Sequence, residues 1–239
     1  VPAISRDAAP VAVGFDFDHT LGVDNGLERR ALYAYANELR RPLDPHDEAA
    51  RKHVEAILAD FRNGITSMDH MLARFAHSVG ADPAATSTAR WQHHCYTLVD
   101  ELVRPIDGAH DVLAALRAGG IPTAVLTNGW TPLQQKKIAR ALGDASLGMT
   151  ILVSDAIGAI KPQRAAFDTL VANLNVPRER VWYVGDNARG DVVGALAAGL
   201  RAVWFNGENQ SYPQDLPMPT LTVTALRELT KLAENTIAP

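Results

Sequence analysis

Apolar and polar positions along the chain fall into two textures. The first is the short, nearly unbroken apolar run: residues 11–16 (VAVGFD), 121–126 (IPTAVL), 150–153 (TILV), 180–184 (RVWYV) and 201–205 (RAVWF). Runs without polar alternation read as strands buried on both faces, as in a parallel sheet. From residue 105 onward these runs alternate with segments of helical period at 109–118, 132–142, 165–174 and 191–198. Gly119-Gly120 and Gly199 stand where helices stop. Alternation of this kind predicts an α/β sheet with helices on both faces. The second texture fills residues 26 to 100, where GLERRALYAYANELR, HDEAARKHVEAILADF, TSMDHMLARFAHSVG and ATSTARWQHHCYTLVDEL carry helical patterning. Breakers at Arg41-Pro42, Asn63-Gly64 and Ala81-Asp82-Pro83 separate them, and no strand pattern intervenes. This block reads as a helical insert after the first strand.

Polar residues recur at one kind of place. Asp16, Thr127 and Asp186 each follow an apolar run, and in open α/β sheets the binding crevice lies outside the carboxyl ends of the strands. Asp16 and Asp18 are two apart, so they share a face if Asp18 is still extended. Two such carboxylates repel unless a cation, a proton or a positive partner offsets them. Together with Thr127, Asn128, Asp186, Asp191 and a lysine, they suggest an oxyanion site with a hard cation, and carboxylate oxygens suit Mg²⁺. His93-His94-Cys95 is contiguous and lacks zinc-ligand spacing, and no Walker A sequence occurs.

Composition narrows the partners. The chain has 239 residues, 47% hydrophobic and 21% charged, with a formal net charge of -4. That balance is ordinary for a globular protein and carries no electrostatic footprint for a nucleic-acid polymer or an anionic membrane. No apolar run reaches the roughly 18 residues of a spanning helix. A single cysteine, Cys95, forms no internal disulfide and fits a reducing cytoplasm. The opening VPAISRDAAP lacks the apolar core of a signal peptide.

Four stretches, in order, resemble the motifs of the haloacid dehalogenase superfamily, most of whose members are phosphatases. DFDHTL at 16–21 resembles its Asp-x-Asp-x-Thr motif, and VLTNG at 125–129 its strand ending in Thr or Ser. Lys161 in GAIKPQRAAF resembles the third motif, and GDNARGD at 185–191 the fourth. Any one motif is weak; four in order, each at or near a predicted strand, are specific. The resemblance implies a Rossmann-like doubly wound parallel sheet core over 1–22 and 104–239, with an inserted α-helical cap domain over 23–103. It implies a Mg²⁺-dependent phosphatase of a small phosphorylated metabolite, working through an aspartyl-phosphate. Asp16 would be the nucleophile, and Asp18 the acid that protonates the leaving alkoxide and later the base that activates water. Thr127, Asn128 and Lys161 would hold the phosphate. Mg²⁺ would take the Asp16 carboxylate, the Asp18 backbone carbonyl and Asp186, with Asp191 behind them or acting through water. A helical cap favours small substrates by excluding water from the rim.

Other readings stand beside this one. A 2-haloacid dehalogenase uses the same nucleophilic aspartate, but halide departure needs no acid, and dehalogenases of the superfamily typically lack the second aspartate. A phosphomutase shares every motif and differs in shielding the phospho-enzyme from water. A silent binding module on the same fold is the reading outside catalysis. Thr127-Asn128-Gly129 also reads as an ordinary turn, Lys161 as a solvated lysine and Asp191 as a helix N-terminal acid. His19 stands where relatives often have glycine and reads as a turn residue. Arg29, Arg30, Arg62 and Arg74 reach a substrate anion only if they are not solvated helix charges. Trp91, Tyr33 and Tyr35 read as packing residues of the insert, and Trp182 and Trp204 as packing residues of strands.

Overall fold

A computed structural model describes residues 10–231; the opening segment discussed above, up to residue 9, lies outside the described residues. Ala12–Phe15 (β1) is buried along its whole length, as an apolar run in a two-sided sheet requires. It sits in the middle of a six-stranded parallel sheet with Thr123–Thr127 (β4) on one side and Val181–Gly185 (β6) on the other. Thr150–Val153 (β5) extends the sheet past β4, and Arg201–Phe205 (β7) and Leu221–Val223 (β8) extend it past β6. The spatial order is therefore β5-β4-β1-β6-β7-β8. Two more strands, Gly22–Val23 (β2) and Arg104–Pro105 (β3), pair antiparallel where the chain leaves and rejoins the sheet unit. Strands this short leave no pattern in the sequence. Val23 pairs with Arg104 and so falls with the sheet, not with the insert to which the sequence reading gave it.

Helices Ala109–Ala118 (α5), Leu133–Leu142 (α6) and Arg164–Leu174 (α8) connect the strands, with the single turn Ser154–Ile157 (α7) after β5. Helix α8 approaches β1 closely because Gly14 has no side chain; a Cβ there would sit 2.7 Å from Leu170 Cδ2. The helix expected at 191–198 is instead a π-helical turn, Ala188–Val193, followed by Gly194–Ala197 (α9). The Asn187 side chain accepts from the Arg189 and Gly190 N–H groups and starts this turn early.

Residues 24–103 form a separate compact unit of four helices: Leu27–Glu38 (α1), Glu48–Arg62 (α2), Met68–Ser78 (α3) and Thr88–Leu102 (α4). Side chains of Asp47, Ser67 and Ser87 cap α2, α3 and α4 by accepting from first-turn N–H groups. Helix α4 buries Trp91, Cys95, Val99 and Leu102, spaced for one face, and packs on α1, which buries Leu32 and Tyr35. No helix among the described residues is long and apolar enough to cross a membrane.

Candidate active site

The register of the sheet sets the site. Phe15 lies level with Val125 and Val184, so Asp16, Thr127 and Asp186 follow on adjacent carboxyl ends. The Asp16 N–H continues the ladder by donating to Val184 O at 2.8 Å. The chain then turns tightly, with Phe17 O accepting from the N–H groups of Thr20, Leu21 and Gly22. His19 adopts a left-handed conformation (φ 57°) inside that turn, which makes it the turn residue its position suggested. β1 ends at Phe15, and the two carboxylates of the first motif have different partners. Asp16 faces Lys161, and Asp18 faces α6.

Lys161 Nζ is the centre of a buried network. It lies 2.7 Å from Asp16 Oδ1, 2.7 Å from Asp191 Oδ1 and 3.0 Å from Tyr183 Oη. Burial alone would lower its pKa, but the two carboxylates hold the ammonium well above the usual lysine range. Tyr183 Oη donates onward to Leu126 O at 2.7 Å. The Asp191 side chain also accepts from the Asn187 N–H, so both its oxygens are engaged. Gly185 makes room for it, because a Cβ there would collide with the Asp191 carboxylate. The Lys161 backbone is held separately: its N–H donates to Asn128 Oδ1 at 2.8 Å and its carbonyl accepts from Asn128 Nδ2 at 3.1 Å. Both polar atoms of the Asn128 side chain are thus engaged in placing Lys161.

Thr20 ties the first motif to the fourth. Its Oγ1 accepts from the Asp186 N–H at 3.1 Å and donates to Asp186 Oδ1 at 3.2 Å. Trp204 Nε1 donates to Asp186 O at 2.8 Å from the next strand. Thr127 is buried at the end of β4.

Carboxylate oxygens of Asp16, Asp186 and Asp191 all lie within 4.8 Å of one another. Three carboxylates face a single lysine. Burial, then the charges of Asp16 and Asp191, push Asp186 up to about 8, and burial also raises Asp16 against the pull of Lys161. A hard divalent cation fits this donor set, since it would offset the excess negative charge with oxygen ligands. The Asp18 carboxylate is not part of the cluster.

Three participants lie outside the motifs, Tyr183, Gln134 and Lys137, while Thr20 belongs to the first motif but is given no role by the sequence. Gln134 Nε2 donates to Asp18 Oδ2 at 2.9 Å, and Lys137 Nζ lies 2.5 Å from Asp18 Oδ1. Both residues are on the buried face of α6, with Lys137 midway between Leu133 and Ala141. A lysine at a core position of an amphipathic helix is the signal that marks them. The insert arginines have carboxylate partners within their own unit: Arg29 with Glu55, Arg30 with Glu101, Arg62 with Glu28 and Glu55, and Arg74 with Asp60.

Comparison with known proteins fits this geometry. Residues 11–199 match the family "Hydrolase: haloacid dehalogenase-like hydrolase". The pyrimidine 5'-nucleotidase YjjG of Escherichia coli is 32% identical over 178 residues, covering 72% of this chain and 76% of that protein. A (S)-2-haloacid dehalogenase of Pseudomonas sp. is 28% identical over 130 residues, covering 54% of this chain and 56% of that protein. The fold matches that of YfnB from Bacillus subtilis, solved with magnesium bound, at a TM-score of 0.72 and 21% identity over 93% of this chain and 97% of that one. With a family match over most of its length, and with an α/β sheet interrupted by a helical insert after β1, the chain belongs to the haloacid dehalogenase-like hydrolases.

Proposed function

We propose that the protein is a Mg²⁺-dependent phosphatase that hydrolyses a phosphomonoester of a small metabolite through an aspartyl-phosphate on Asp16. The observation that carries this is Lys161 held between Asp16 and Asp191, with Asp186 completing a carboxylate cluster at the strand ends. Asp16 and Asp186 would hold the metal with the Asp18 backbone carbonyl, and Asp191 would brace Lys161 behind them. Bound there, Mg²⁺ supplies charge neutralisation for the phosphoryl oxygens. The Asp16 carboxylate attacks phosphorus as the bond to the leaving oxygen breaks, and Asp18 gives that oxygen its proton. Asp18, now a carboxylate, takes a proton from the water that attacks the aspartyl-phosphate, which releases phosphate and restores Asp16. Lys161 offsets charge on the nucleophile and phosphate, and the Thr127 hydroxyl donates to a phosphoryl oxygen. Asn128 acts by placing Lys161.

Similarity reaches both a nucleotidase and a dehalogenase, and the second aspartate of the first motif supports the phosphatase reading. Asp18 favours phosphoryl chemistry, because an alkoxide needs a proton to leave and a halide does not. We place the enzyme in the cytoplasm on the strength of its single cysteine. A panel of phosphomonoesters, with pyrimidine nucleoside monophosphates first, incubated with Mg²⁺ and assayed for phosphate tests the assignment. Phosphate release from at least one member is expected. Chloride release from 2-chloropropionate with no phosphate from any ester would overturn it.

A further inference from the structure

We propose that Lys137 and Gln134 are positioning residues for Asp18, forming a bracket on α6 that fixes the direction of the acid–base carboxylate. This rests on the role given to Asp18 above. Neither residue belongs to the motifs that identify the family in this chain.

Five observations carry it. Lys137 is 3% exposed, and a lysine is rarely buried so fully without a specific partner. Its ammonium lies against Asp18 Oδ1, and its Nζ is also 5.8 Å from the ring centre of Phe17, the residue between the two motif aspartates in sequence. Gln134 takes the other oxygen, so each oxygen of Asp18 has its own partner and rotation of the carboxylate is opposed from both sides. The same Gln134 Nε2 donates to Asn128 O at 3.0 Å. Both of its partners are acceptors, which fixes the amide orientation and braces Asp18 on the backbone just after Thr127. Finally, Gly129 has φ 145°, and a Cβ there would meet Gln134 Nε2 at 2.5 Å. The glycine leaves the space through which Gln134 reaches Asp18.

The carboxyl must present one oxygen to the leaving group in the first step and to water in the second. A side chain that rotates freely does so only part of the time, whereas the bracket holds one orientation through both steps. Lys137 and Gln134 act through Asp18, and neither needs to touch substrate.

Two readouts on Lys137→Met test this. Crystal structures of wild type and variant should show an unchanged fold with the Asp18 carboxylate turned away from its wild-type position. In rapid-mix kinetics with Mg²⁺, release from glycerol 2-phosphate should slow about a hundredfold, the scale of a lost general acid. The first step with p-nitrophenyl phosphate, whose leaving group departs without a proton, should slow less than about threefold. Lys137→Arg should recover much of the loss. An unmoved Asp18 in Lys137→Met, or equal slowing of both first steps, overturns the proposal. If wild type releases phosphate from neither ester, the kinetic readout moves to the panel ester that it does hydrolyse, and the crystallographic comparison decides the role of Lys137 by itself. Should Lys137→Met fail to fold, Gln134→Leu carries the same two readouts.

Discussion

Tyr183→Phe removes one oxygen from the centre of the site and nothing else. The ring is 1% exposed and packs edge-on to Phe167 at a centroid distance of 5.1 Å, a contact that phenylalanine keeps. The lost Oη donates to Leu126 O and accepts from Lys161 Nζ. Burial raises the phenol well above its ordinary pKa, against the pull of the Lys161 charge, so the oxygen carries its proton and serves as donor to the carbonyl. The substitution leaves a buried carbonyl and one ammonium N–H without this partner, and an unsatisfied buried group costs about 1–3 kcal/mol. Lys161 retains Asp16 and Asp191, which holds its share to the low end. The sum is about 2–4 kcal/mol. At about 2–4 °C per kcal/mol for a chain of this size, Tm should fall by roughly 4–16 °C. Phosphatase kcat should fall less than about tenfold, because the two carboxylate partners of Lys161 remain. Thermal melts followed by circular dichroism, paired with phosphate-release assays, measure both quantities. A Tm within about 1 °C of wild type would refute the view that this oxygen joins Lys161 to the sheet.

Asp18→Asn should slow turnover of alkyl phosphates strongly and give a burst of aryl alcohol with p-nitrophenyl phosphate, since only water activation then limits the cycle; rapid-mix absorbance would show the burst or its absence. Phosphate release should be lost on exhaustive chelation, be restored by Mg²⁺ and be poorly supported by Ca²⁺, which takes more and longer oxygen contacts; full activity in chelator would contradict this. Gly185→Ala forces a methyl into the Asp191 carboxylate and should destabilise by about 1–3 kcal/mol, as overpacking does. A urea midpoint unchanged from wild type would show that the turn after β6 yields without cost.

The sheet was legible because its strands are uninterrupted apolar runs, and Thr150–Val153 and Arg201–Phe205 match their predicted bounds. Strand β8 was not legible, since three residues with one exposed threonine carry too little pattern. The π-helical turn at Ala188–Val193 was hidden for another reason: its register follows from Asp191 turning inward to Lys161, a tertiary contact 30 residues apart in sequence. Motif spacing placed Asp16, Thr127 and Asp186 on one rim, but it could not show what the Asp18 carboxylate contacts. That depends on the turn closed on Phe17 O and on two side chains from α6. The resemblance assigns Asn128 to the phosphate, and its sequence position does not reveal that its side chain also bonds the Lys161 backbone. Local pattern reveals which residues reach the rim, and packing decides what each one faces there.

The covalent role of Asp16 can be tested directly by trapping. Enzyme mixed with Mg²⁺ and ³²P-labelled p-nitrophenyl phosphate, then quenched in acid within milliseconds, should carry label on the peptide that contains Asp16. Hydroxylamine should release that label, as it does from an acyl phosphate, and Asp16→Asn should neither take up label nor turn over. Turnover without label on that peptide, or turnover that survives in Asp16→Asn, would contradict the proposed mechanism.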